Sequence, residues 1–234
     1  MRIGVANGLL SLWGILMPND ELALLRLLQL ADSALPVGAA AHSFGLESLI
    51  EDGLLTVDGL EAFLRDFLEE NGALEAYFCR NAYRVSPLAG EEWRDLNLHL
   101  SARRLSRESR VASLTLGRRF LRLAAVLLPG AALPVEMEAH HVTAFGFVAR
   151  VVGVDEQSAL LGWLHQSVTA LVSAMQRLAP LGQTRATEIL WSMKPLIVRI
   201  GNAGADERAP QCLAPLPEIA GMRHPRLATR LFIS

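Results

Sequence analysis

Apolar residues recur at steps of three and four positions along most of the chain, the spacing that places them on one face of an α-helix. Proline, glycine and helix-capping residues divide this pattern into segments. We expect helices over residues 19–31, 58–78, 106–128, 139–152, 156–178 and 183–193, and shorter ones near 44–50 and 93–100. The pattern therefore predicts an all-α protein, a single-domain bundle of roughly seven to ten helices with an extended C-terminal tail.

The two ends of the chain differ from its middle. Residues 1–16 are largely apolar but lack the A-x-A-like cleavage site of a signal peptide, so we interpret them as an N-terminal extension outside the fold. Residues 17–202 are predicted to form the all-α core domain. Residues 203–234 contain repeated prolines and glycines, and we expect them to form a tail whose order depends on a partner.

The composition agrees with helices and excludes several classes of protein. Leucine and alanine supply nearly a third of the 234 residues, whereas aromatic residues make up 6%. A chain with 51% hydrophobic residues is not intrinsically disordered. The formal net charge of −2 provides no basic field for nucleic acid, so no nucleic-acid partner is expected.

The hydrophobic composition also raises the alternative of a membrane protein. Residues 157–176 carry no formal charge and are about as long as a membrane-spanning helix. Their polar residues nevertheless recur at helical steps and form one polar stripe, which is typical of a helix packed between other helices. We therefore expect no membrane association.

Sequence motifs for common enzyme chemistry are missing. The chain contains no G-x-x-x-x-G-K-[ST] phosphate loop, no H-E-x-x-H metal motif and no G-x-S-x-G nucleophile motif. His42, Ser43 and Glu47 are too close in sequence to hold the geometry of a catalytic triad. We expect a protein that is not an enzyme and has no cofactor.

Histidine and cysteine leave one alternative function open. Cys79 and Cys212 form no metal-binding motif, which favours a reduced chain in the cytoplasm. His140 and His141 project about 100° apart on a helix and could share a metal ion only through irregular backbone. The alternative is a stand-alone helical metal-binding protein or enzyme that combines these histidines with Cys79 or Cys212.

Arginines are concentrated in the segment SARRLSRESR, residues 101–110. If this segment is helical, Arg103, Arg107 and Arg110 lie within roughly 60° of one another and form a basic ridge. The ridge is interpreted either as a solvated helix face supported by Glu108 or as a docking site for an acidic partner.

Four segments, taken in order, resemble the urease accessory protein F family, whose members help to insert nickel into urease. The segments are LLQLADSALPVGAAAHSFGLE (27–47), SRESRVASLTLGRR (106–119), RLAPLGQT (177–184) and HPRLATRLFIS (224–234). Two departures from the family pattern concern residues that could contact a partner. The aromatic residue usual after L-P-V-G is missing from residues 39–42, and Ile233 replaces the penultimate basic residue.

The resemblance implies a function without catalysis. It implies an all-helical homodimeric scaffold that bridges the urease accessory proteins D or H and the nickel-carrying GTPase accessory protein G, and that acts on the urease apoprotein indirectly. Metal-ligating residues are not implied. The positions carried over as structural or partner-contacting are Pro36, Gly38, His42, Ser43, Gly45, Glu47, Arg107, Glu108, Arg110, Gln183, Arg230, Phe232 and Ser234.

Overall fold

The computed structural model describes residues 19–86, 90–203, 215–227 and 229–233. The α-helices within these residues are α1 (Asn19–Leu30), α2 (Leu46–Glu51), α3 (Leu60–Phe67), α4 (Ala73–Arg84), α5 (Gly90–Arg103), α6 (Arg107–Leu127), α7 (His141–Val151), α8 (Glu156–Leu178), α9 (Gln183–Ser192), α10 (Lys194–Asn202) and α11 (Pro215–Arg223). A π-helical segment, Leu68–Gly72, joins α3 to α4, and Met193 alone separates α9 from α10. When α3 with α4 and α9 with α10 are each counted as one, the described residues contain nine helical segments. The predicted all-α class is confirmed.

Helix α7 is the centre of the core. Its residues from His141 to Ala149 are all buried, and α4, α6 and α8 pack around it. Glycine allows the closest of these contacts, because a Cβ at Gly146 would collide with the backbone carbonyl of Cys79 in α4. A Cβ at Gly117 of α6 would likewise collide with the carbonyl of Ala139. These two glycines let three helices approach at backbone distance.

The uncharged stretch of residues 157–176 lies within α8, whose predicted bounds agree with the structure. Asp155 caps this helix by accepting a hydrogen bond from the Ser158 amide at 2.9 Å. Helix α8 packs against α4, α7 and α10, as the polar stripe predicts. In the parts of the chain that the structure describes, no helix is both long enough and apolar enough to cross a membrane.

The arginine-rich segment is not one continuous helix. Helix α5 ends at Arg103 and α6 begins at Arg107, so Arg103 does not share a helix with Arg110. The break has a local cause: Ser106 has extended backbone geometry and its hydroxyl accepts the Ser109 amide at 3.1 Å, which makes it the N-cap of α6. The prediction of a basic ridge along one helix face is therefore wrong.

The C-terminal segment lies against the core. Helix α11 packs against α2 and α6, and a short 3₁₀ turn, His224–Arg226, follows it. The dependence of residues 203–234 on a partner for their order stays a prediction. The predicted extension of residues 1–16 lies outside the described residues, as do Cys212 and Ser234.

Candidate functional site

The loop before α2 is shaped to hold the side chain of Arg119. Gly38 has a φ of +87°, and a Cβ at this position would lie 2.5 Å from Arg119 Nη1. That nitrogen donates a hydrogen bond to the Val37 carbonyl at 3.4 Å. Pro36 is exposed beside the buried Val37. The glycine after L-P-V therefore leaves room for the Arg119 side chain of α6 to approach this loop.

Gly45 serves a second close contact, with helix α11. Its φ is +89°, and a Cβ there would lie 2.7 Å from the Pro217 carbonyl oxygen and 3.3 Å from Ala220 Cβ. Phe44, just before it, also has a positive φ of 52°. The chain thus turns sharply into α2 and leaves space for the C-terminal helix.

Glu47 anchors the C-terminal segment through His224, Leu231 and Phe232. This buried carboxylate accepts hydrogen bonds from His224 Nε2 at 2.7 Å, from the Phe232 amide at 3.2 Å and from the Leu231 amide. The Ile233 amide donates to the Ala41 carbonyl at 2.8 Å. One acidic side chain from the first family-like segment therefore fixes the last one. We call the contact of residues 36–47 and the start of α6 with residues 215–233 the tail junction.

The start of α6 forms the other side of the tail junction. The Ser106 amide donates to Glu218 Oε2 of α11 at 2.6 Å, which places a carboxylate at the N-terminus of α6. Arg110 turns inward and donates to the carbonyls of Ser101 and Arg104 at 3.4 and 3.3 Å. In contrast, Arg107 is exposed and Glu108 is half-buried.

The third family-like segment reaches the tail junction through Arg177. The Arg177 guanidinium lies 4.2 Å from the ring centroid of Phe232, and the Phe232 side chain is buried. Arg230 and Gln183 are both exposed. Gln183 lies at the start of α9, outside the tail junction. The structure thus brings all four family-like segments together, although not every predicted residue.

His42 and Ser43 are buried within the same loop. Burial lowers the pKa of His42, and the nearby charges of Arg119 and His224 lower it further. The imidazole is therefore neutral near pH 7. Glu47 directs its oxygens to His224 and to the tail backbone, so its role here is to hold the chain rather than to activate a nucleophile.

An open groove runs beside the tail junction. Its lining includes two arginines, Arg107 and Arg119, one acidic residue, Glu108, and the aliphatic residues Val111 and Ile233. The side chains of Val111 and Ile233 are 51% and 68% exposed. Two arginines next to exposed aliphatic side chains make a surface suited to an acidic, partly apolar protein segment.

Among the described residues, no further ligands meet the histidine pair to complete the metal centre of the alternative hypothesis, and Cys212 lies outside those residues. Both ring nitrogens of His140 lie within hydrogen-bond distance of a serine hydroxyl. His140 Nε2 is 2.9 Å from the Ser101 hydroxyl, and His140 Nδ1 is 3.0 Å from the Ser113 hydroxyl. Burial raises the pKa of the Cys79 thiol well above its usual range, so it is a poor thiolate ligand. Within the described residues no group of three or more histidine, cysteine or acidic side chains could hold a metal ion.

Sequence reasoning missed a buried ion pair next to the site. Arg104 Nη2 donates to Glu75 Oε1 at 2.8 Å, and Trp163 Nε1 donates to the other oxygen of Glu75 at 2.9 Å. His224 and Glu218 both hold the tail, but neither is among the residues that the resemblance implies. The available signal for His224 and Arg119 was their position inside family-like segments; Glu218 and Glu75 carried no such signal.

The tail junction and the helical core define a class of protein: an all-helical protein with a C-terminal segment anchored beside an exposed groove. The family model described as UreF matches residues 55–194. The urease accessory protein UreF of Nostoc sp. is 37% identical over 226 residues, which cover 90% of this chain and 95% of that protein. The UreF proteins of Paenarthrobacter aurescens and Bacillus sp. are 34% and 31% identical, with 90% of this chain covered in each case.

These matches extend over most of both chains, and the family model covers more than half of this one. The chain belongs to the UreF family of urease accessory proteins. The range matched by the family model includes Arg107, Glu108, Arg110 and Gln183 but neither Glu47 nor the C-terminal segment.

Proposed function

We propose that the chain is a non-enzymatic scaffold in urease maturation, which joins accessory proteins D or H to the GTPase accessory protein G during nickel insertion. Membership of the UreF family supports the maturation role. The observation that carries the scaffold role is the anchoring of the tail by Glu47, because it holds residues up to Ile233 beside an exposed groove. Nickel is the cargo of the assembly and needs no site in this chain.

The groove beside the tail junction is the proposed docking surface for one partner. Arg107 and Arg119 supply charge that can pair with carboxylates, while Val111 and Ile233 supply apolar contact. Because Ile233 is apolar, the tail would contribute hydrophobic contact, and the charge would come from α6.

A second surface lies on α9 and is proposed to contact another copy of the chain. Gln183, Thr187 and Trp191 share an exposed face, and the Trp191 side chain is 71% exposed. An exposed tryptophan is characteristic of residues that become buried in protein interfaces. Dimerisation through this face would leave the groove at the tail junction open to other partners.

A scaffold of this kind works by differential binding. It can favour one nucleotide state of the GTPase only to the extent that it binds that state more tightly. Its role would then be to position its partners relative to one another. Protein G would hydrolyse GTP, and urease would hydrolyse urea. A location in the cytoplasm, where these partners are expected, stays a prediction.

Co-expression with the accessory proteins D or H and G tests the proposal. Size-exclusion chromatography with light scattering should show a dimer of the chain alone and a larger complex that contains the partners. Trp191→Ala should shift the dimer to a monomer. Trp93→Ala cannot serve as the control, because Trp93 is buried and its loss would affect the core. Val126→Ala, at a 77% exposed apolar position of α6 that does not line the α9 face, is the matched surface control. A native chain that remains a monomer and elutes apart from both partners would contradict the scaffold.

A further inference from the structure

A cavity of about 90 Å³, whose lining includes both apolar and polar side chains, lies beneath the tail junction. Phe44 and Gly45 form one part of its wall, and Pro217 and Gly221 of α11 form another. The start of α6, together with α4 and α8, completes the wall. Helix α11 therefore covers a space that reaches into the core.

Three side-chain atoms of the cavity lining have no hydrogen-bond partner among the described residues. They are Arg104 Nε, His141 Nε2 and Gln166 Oε1. His141 and Gln166 are only 6% and 7% exposed. Buried polar atoms of native proteins are almost always paired with protein or with ordered water, so three orphans around one space indicate a missing ligand.

The charges and hydrogen-bonding atoms decide what kind of ligand fits. Arg104 is already paired with Glu75, and Glu108 and Glu218 also line the cavity, so there is no excess positive charge for an anion. Arg104 Nε–H can only donate and Gln166 Oε1 can only accept. These charges disfavour an anion, and an uncharged molecule that both donates and accepts hydrogen bonds satisfies the unpaired atoms.

The volume of the cavity is large enough for several water molecules, and water is the smallest molecule that both donates and accepts hydrogen bonds. One water needs on the order of 10–15 Å³ of such space and two to four polar partners. We propose that the cavity is a binding site for a cluster of water molecules that bridge Arg104 Nε, His141 Nε2 and Gln166 Oε1, with helix α11 as its cover. The cluster joins the loop between α5 and α6 to α7 and α8 beneath the anchored tail. This proposal does not depend on the function in urease maturation.

Magnetic relaxation dispersion of ¹⁷O water on the full chain counts water molecules that stay bound for longer than nanoseconds. The native protein should show such waters, and Gln166→Met should lose at least one of them. Gln157→Met is the matched control, because Gln157 lies on the same helix but is hydrogen-bonded to Asn202 at 2.7 Å outside the cavity. Equal counts in the native protein and in Gln166→Met would overturn the proposal.

A second measurement needs no substitution. Cross-relaxation between water and the Arg104 Nε–H proton in the native protein should show a long-lived water next to this group. The absence of that signal would mean a dry cavity and would overturn the proposal. Titration with inorganic phosphate should leave the Arg104 Nε–H resonance unchanged, and saturable binding there would overturn the choice of an uncharged ligand.

Discussion

At the scale of the residue, Glu47 has the largest predicted effect on the tail. Its carboxylate accepts from His224 and from two tail amides, and Gln at this position offers only one accepting oxygen. We expect Glu47→Gln to lower the free energy of unfolding by about 2 kcal/mol and to increase hydrogen exchange at Leu231 and Phe232. Glu51→Gln, an exposed position of the same helix, is the control. Unchanged exchange of both amides in Glu47→Gln would contradict the anchoring role.

The buried histidines predict a dependence of stability on pH. Burial, followed by the charge of Arg104, lowers the pKa of His141 from 6.5 to about 3. Between these values the unfolded chain binds a proton that the folded chain does not, so stability is greatest above pH 6.5 and falls as the pH drops. His141→Gln should reduce the slope between about pH 6 and pH 5 by roughly 1.4 kcal/mol per pH unit.

Urea denaturation at a series of pH values measures that slope. His99→Gln, at an exposed position, is the matched control, and the comparison is between its slope and that of His141→Gln. Should His141→Gln fail to fold, His140→Gln provides the same measurement, since burial lowers the pKa of His140 to about 3 as well. Equal slopes for the native chain and the buried-histidine variants would show that these groups do not titrate on unfolding.

At the scale of the element, the close approach of α11 to Gly45 gives a prediction with a matched control. Gly45→Ala adds a Cβ that would lie 2.7 Å from the Pro217 carbonyl, on backbone with a φ of +89°. Gly53→Ala adds a Cβ on backbone with a φ of +68° but meets no atom within 4 Å. Both substitutions cost about 1 kcal/mol of backbone strain, and only Gly45→Ala should displace α11. Limited proteolysis within residues 215–227 should increase in Gly45→Ala alone; equal cleavage of both variants would contradict the packing.

The elements also show what the sequence could predict. Helix α8 was predicted with its observed bounds because a capping Asp155 and a regular apolar pattern mark it locally. The start of α6 near residue 106 is predicted correctly, whereas the ridge of Arg103, Arg107 and Arg110 requires one helix across residues 101–110, which the N-cap at Ser106 interrupts. The anchoring of the tail by Glu47 could not be derived from spacing, since the two ends of that contact lie far apart in the chain. Resemblance indicated which segments mattered, and only the structure showed that they meet.

At the scale of the whole molecule, the groove beside the tail junction should decide partner binding. Arg107→Glu reverses a charge in the groove, so we expect the affinity for the partner that docks there to fall about tenfold or more, with a smaller effect at high salt. Arg122→Glu is the matched control, an exposed arginine of α6 that does not line the groove. Isothermal titration calorimetry measures both. Equal affinities for the two variants would place the docking surface elsewhere.

The most direct test of the account is nickel loading of urease in cells that express urease with its other accessory proteins. Metal analysis of the purified urease should find nickel when the native chain or Glu51→Gln is present. Without the chain nickel should be largely absent, and with Glu47→Gln it should be clearly reduced although the variant remains folded. Full nickel loading without the chain would contradict the proposed function, and full loading with Glu47→Gln would contradict the role of the tail junction.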